Sequence, residues 1–128
     1  MIPKFRAWST DKKIMAEVRT LRFTDELVET DKFVERSIEG VELMQSTGLK
    51  DKNGKEIFEG DILKVANNDS SWFEVVKYDH DKAMFISKEV NLKYEVPETH
   101  LYDLFSPYLF KVVVIVNIWE NRDLLGVE

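Results

Sequence analysis

Between Leu43 and Ile62 the chain reads LMQSTGLKDKNGKEIFEGDI, with Gly48, Gly54 and Gly60 and the turn-formers Asp51 and Asn53 set among apolar residues at fixed offsets. Glycine accepts the positive φ of tight turns, and Asp and Asn side chains bond their own backbone, so this stretch dictates closely spaced β corners and rules out a long helix. Asn53-Gly54 is the strongest hairpin signal, yet a strict two-residue turn would place Lys52 opposite Lys55 and Asp51 opposite Glu56. Both pairs are like-charged, so a looser turn is expected. Glu59-Gly60-Asp61, running into Ile62-Leu63-Lys64-Val65, has the form of a diverging turn that opens a strand of a small SH3-like barrel.

The rest of the chain fits a mainly β reading. Phe5 and Ala7 alternate with Lys4, Arg6 and Trp8, and after the polar Ser9 to Lys13 comes Ile14 to Val18, which predicts a hairpin with a longer loop. Residues 24–40 are acidic and ambiguous. Leu27, Val34 and Ile38 keep helical spacing behind Thr24, whereas Val41 and Leu43 alternate, so a helix near 25–38 followed by a strand is expected. Trp72 to Asp79 and Ala83 to Ser87 are aromatic and β-branched runs bounded by polar turns and read as two strands of a meander. On the first, Trp72, Glu74, Val76 and Tyr78 share one face and Phe73, Val75, Lys77 and Asp79 the other. Pro97 and Pro107 break the next stretch, where a short helical turn fits. Val112 to Val116 is an unbroken β-branched run of the kind buried on both faces, which predicts a central strand. Asn117 and Glu120 have capping-box spacing, predicting a terminal helical turn through Leu125.

A chain of 128 residues with 44% hydrophobic, 12% aromatic and 33% charged residues can bury one core inside a solvated shell. There is no cysteine, so disulfides and thiolate chemistry are excluded, in keeping with a reducing cytoplasm. The first residues lack a signal-peptide apolar core and the longest apolar run is too short for a bilayer, so a cytoplasmic protein outside the membrane is expected. The net charge of -6 opposes nonspecific binding to nucleic acid. Lys50, Lys52 and Lys55 form the densest basic point, although Asp51, Glu56, Glu59 and Asp61 interleave with them.

No residue set points to catalysis. Asp79-His80-Asp81 offers metal-ligand side chains, but strand neighbours point to opposite faces and a polar turn explains them better. Asp51 to Lys55 is a poor calcium loop, because Lys55 stands where an oxygen ligand belongs. No Gly-x-Ser-x-Gly elbow and no phosphate-cradling glycine pattern occurs. Neither a metal nor a cofactor is therefore expected. Trp8 and Trp119 read as core residues, while Trp72, beside a polar loop, reads as a contact residue, with Tyr78 on the same face and Tyr94 or Tyr102 at its border.

Phe5-Arg6-Ala7-Trp8, the Leu43 to Val65 block and Asn117-Ile118-Trp119-Glu120-Asn121-Arg122-Asp123-Leu124-Leu125 resemble the YopX family of phage and prophage proteins. The resemblance covers positions 4–15, 43–65 and 112–125. It departs at Val116, where the family commonly has Gly, and at Arg122, where it commonly has Pro, which affects any bulge or helix start in the closing motif. Such a likeness implies a single domain over residues 1–128 with a candidate variable insertion at 24–40, and a host-cytoplasm phage or prophage setting. The expectation is an SH3-like barrel with an N-terminal hairpin, limited helix and neighbouring terminal strands. Its function is expected to be noncatalytic binding of a protein partner or of another copy, through Trp72, Tyr78 and the loops around them. A single-stranded nucleic-acid module using Lys50, Lys52 and Lys55 is the alternative, and a small hydrolase the third reading.

Overall fold

Alternating Phe5 to Ser9 forms strand β1 (Phe5–Ser9), which turns back into β2 (Ile14–Arg22) with Arg6 opposite Glu17 and Ser9 opposite Ile14. The four-residue turn is closed by the Lys13 N–H donating to the Ser9 carbonyl at 2.8 Å. The expected hairpin with a longer loop is thus present. The computed structural model describes residues 3–33, 36–90, 97–105 and 110–120, and the chain divides into two compact units, Met1–Ser46 and Thr47–Glu128.

In the first unit β1 and β2 are joined by β3 (Leu27–Thr30), β4 (Arg36–Ser37) and the first half of β5 (Val41–Lys50), antiparallel throughout in the order β4-β3-β2-β1-β5. Ala7, Ala16, Val28, Phe33 and Val41 make its core. The helix expected near 25–38 is replaced by strands, with a single 3-10 turn at Ile38–Gly40; Val34 lies outside the described residues. The physical reason is local competition for the backbone. Thr30 Oγ1 accepts the Lys32 and Phe33 N–H groups and donates to the Phe33 carbonyl, and the Asp31 carboxylate accepts the Glu17 N–H, so the segment is held as a turn between strands.

In the second unit the rest of β5 runs beside β6 (Glu56–Phe58), with Thr47 Oγ1 donating to the Ile57 carbonyl. A second antiparallel sheet follows: β7 (Asp61–Ala66), β8 (Ser71–Asp79), β9 (Met84–Glu89), β10 (Thr99–His100) and β11 (Lys111–Asn117), in the order β10-β9-β8-β7-β11. Leu63, Val65, Val76, Val112 and Val114 line its inner face together with Ile57 and with Leu101 and Leu104 of a 3-10 turn at Leu101–Leu104. That turn answers the helical turn expected near Pro97.

Three expectations need correction. The fold is mainly β, but it consists of two antiparallel sheets not closed into a barrel. Closure requires the outer strands of a sheet to pair with each other, and these are β4 and β6 in one and β10 and β11 in the other. Terminal strands β1 and β11 belong to different sheets. Nor is the Val112 to Val116 run central: among the described residues β11 is an edge strand paired with β7 alone, and alternate residues, Val112 and Val114, enter the core. Its register slips between Val114 and Val116, leaving Ile115 bulged and exposed. Among the described residues no helix is long and apolar enough to cross a membrane.

Candidate functional site

The turn chemistry of residues 51–55 builds a rigid corner around one carboxylate. Asp51 Oδ1 accepts the Asn53 and Lys55 N–H groups at 2.9 and 2.8 Å, and Oδ2 accepts the Val114 N–H at 2.9 Å. The backbone closes the same loop, with the Asp51 N–H donating to the Lys55 carbonyl and the Gly54 N–H to the Asp51 carbonyl. Gly54 has φ 82°, a left-handed conformation that completes a three-residue turn rather than a two-residue one, as the like-charge argument requires. Gly60, at φ 84°, makes the diverging turn, where the Asp61 carboxylate accepts the Phe58 N–H. Burial raises the Asp51 pKa, but the amides of Val114, Lys55 and Asn53 and the charge of Lys55 outweigh it, and the carboxyl is held below its ordinary value. The carboxylate therefore faces backbone, and Lys50, Lys52 and Lys55 stand exposed around it.

On β8 the predicted face is observed. Trp72 packs edge-on against Phe110 at 5.9 Å and donates its indole N–H to Glu74 Oε2 at 2.7 Å. The other oxygen of Glu74 accepts the Ser87 hydroxyl at 2.6 Å. This carboxylate and hydroxyl have the contact of a base and a nucleophile, but Glu74 is 4% and Ser87 0% exposed, so the pair is sealed into the sheet. Tyr78, at the far end of β8, packs edge-on against Phe85 and His80 at 5.1 and 5.0 Å. Asp79 Oδ1 accepts the Asp81 and Lys82 N–H groups, which makes Asp79-His80-Asp81 a hairpin turn. Among the described residues no group of three or more His, Cys, Asp or Glu side chains could hold a metal ion.

The predicted contact residues do not converge on one patch. The Lys52 N–H bonds to Val112, which is opposite Val65, itself opposite Trp72, so the lysine loop and Trp72 share one end of the second unit's sheet. Tyr78 is six residues along β8, about 20 Å away. The described part of the border is Tyr102, 64% exposed; Tyr94 lies outside the described residues. The model of the family described as YopX protein matches residues 4–126. The chain belongs to the YopX family. Two solved structures resemble this YopX-family chain: protein EF1440 from Enterococcus faecalis, 30% identical over 98% of this chain and 99% of that one with a TM-score of 0.69, and protein yopX from Bacillus subtilis, 18% identical over 98% of both with a TM-score of 0.54. The second likeness shows the fold alone. No curated protein matches the chain.

In this YopX-family member the closing motif is partly as expected. Asn117 Oδ1 accepts the Trp119 and Glu120 N–H groups, and Glu120 reaches back to the Asn117 side-chain amide rather than to its backbone. The helical turn through Leu125, with Arg122, lies outside the described residues. Trp8 is buried and Trp119 half-buried. Besides Tyr102, two aromatics among the described residues are open to solvent that sequence reasoning passed over, Phe23 at 74% and Phe73 at 45%. Alternation placed Phe73 opposite Trp72 on β8, but a strand pattern does not say which face the rest of the chain will cover.

Proposed function

We propose that this YopX-family chain is a noncatalytic phage or prophage accessory protein that binds a protein partner or another copy of itself in the host cytoplasm. The observation that carries this reading is the exposure of Phe23 at the tip of the β2–β3 hairpin, reinforced by Tyr102 in the second unit. Large aromatic side chains are costly to leave in water and are enriched at interfaces. The buried polar side chains give it further support. Thr30, Asp51, Asp61, Glu74, Ser87 and Asn117 each bond backbone or a neighbouring side chain, which employs them in holding the fold. The phage setting rests on the family resemblance.

The reading has a direct test. Size-exclusion chromatography with light scattering near pH 7 should show a mass of two or more chains that is insensitive to salt, or a protein from infected host lysate retained on the immobilised chain. Phe23→Asp should abolish the association that is found while leaving the circular dichroism spectrum unchanged. A monomer that retains nothing, or an association indifferent to both Phe23→Asp and Tyr102→Asp, would overturn the proposal.

A further inference from the structure

Phe73 presents 45% of its surface to solvent although it lies in the middle of the second unit's sheet. The two faces of β8 explain this, since Trp72, Glu74 and Val76 turn inward and Phe73, Val75 and Lys77 turn outward. The register sets Lys64 of β7 directly opposite Phe73, and Val113 of β11 opposite Lys64. On the other side Lys88 of β9 stands opposite Val75, diagonal to Phe73. Lys111, two positions before Val113, shares the same face. Lys64 and Lys111 are exposed and Lys88 half-buried.

Three lysines thus share one sheet face with a single bare ring. Their charge is not neutralised locally, because none of the three lysine side chains has a hydrogen bond or ion pair among the described residues. The other outward strand positions at this end are Ala66, Ser71 and Val90, so among the described strand residues no carboxylate shares this end of the face, and the nearest is Asp69 in the turn between Ala66 and Ser71. Further along the same face Ile62, Val75 and Ile86 are 2, 7 and 3% exposed, which confines the open area to the Phe73 end.

We infer that this end of the sheet binds single-stranded nucleic acid, a base stacking on Phe73 and the phosphates lying against Lys64, Lys88 and Lys111. The chemistry selects that occupant. A solvent-facing ring on a flat sheet offers a stacking platform that accepts any base, and cations at its sides track a polyanionic backbone. A duplex hides the π-faces of its bases and could use the lysines alone. Lys111 and Lys88 lie three strand spacings apart across the sheet and four residues apart along it, about 20 Å in all, which is room for a short length of strand. The surface differs from the loop lysines at 50, 52 and 55, whose neighbouring carboxylates dilute their field. Because the whole chain carries a net charge of -6, binding is modest in affinity and steeply dependent on salt.

Fluorescence anisotropy of a labelled oligothymidylate with the full chain tests this. Wild type should bind at about 50 mM salt and lose affinity toward about 200 mM. Phe73→Ala should weaken binding about tenfold with the salt slope unchanged. Lys64→Gln, Lys88→Gln and Lys111→Gln should each lower the log–log salt slope by about 0.7. Joint replacement of Lys50, Lys52 and Lys55 by Gln should change neither. If Phe73→Ala fails to fold, Phe73→Leu keeps the bulk and removes the ring, and it should show the same loss. No binding at low salt, full affinity in the folded Phe73 variant, or equal competition by duplex DNA or by polyglutamate would overturn the inference.

Discussion

Asp51 carries more of this molecule than its place in a turn suggests. A buried carboxylate is costly by itself, but here three backbone N–H groups converge on it from two chain segments 63 residues apart. Asp51→Ala would leave those donors without an acceptor, and the expected loss is about 3 kcal/mol in urea unfolding. The pH dependence follows from the direction of its shift. Because the folded pKa is depressed, the stabilisation is present in full above the unfolded value near 3.8 and is lost as pH falls through the folded value. Asp11, held at about 2 by the Ser9 hydroxyl and by Arg36, adds to the same acid limb. Denaturant midpoints measured from pH 6 down to pH 2 should therefore fall below about pH 4, and Asp51→Asn should flatten that fall.

At the level of elements, the turns were the legible part. Gly48, Gly54 and Gly60 all adopt positive φ, at 79°, 82° and 84°. A Cβ at Gly54 would meet nothing within 4 Å, so the cost of Gly54→Ala comes from backbone conformation alone and should be about 1–2 kcal/mol. Gly40 has equally open surroundings and no positive φ, so Gly40→Ala should be near neutral. Comparing the two in one denaturant series checks the argument directly. Residues 24–40 were not legible, because Leu27 and Ile38 satisfy a helical period by chance while the decisive bonds come from Thr30 and Asp31, short polar side chains whose partners spacing does not specify. The placement of β11 was hidden for another reason. A β-branched run reports burial and not strand order, and the loop that covers this edge bonds it from 60 and 63 residues earlier in the sequence.

For the whole molecule, the family and the mainly β class could be read from the terminal and turn motifs, whereas the exposure of individual aromatic side chains could not. Trp72 looked available because it borders a polar loop, yet its N–H is tied to Glu74 and its ring to Phe110. Exposure is a property of the assembled chain, which is why Phe23 and Phe73 emerge only in the fold. The loop around Asp51 also does something no single strand could do for itself. By bonding Val112 and Val114 along the side of β11 that faces away from β7, it occupies a row of backbone groups that would otherwise template a neighbouring molecule. The run Val112-Val113-Val114-Ile115-Val116 is uncharged, free of proline and strongly β-forming, the composition of a fibril-forming segment. Asp51→Ala should consequently give thioflavin-positive aggregates at temperatures where most molecules are still folded, with wild type clear under the same conditions. That outcome would make one buried acid the guard against polymerisation through the chain's own valines.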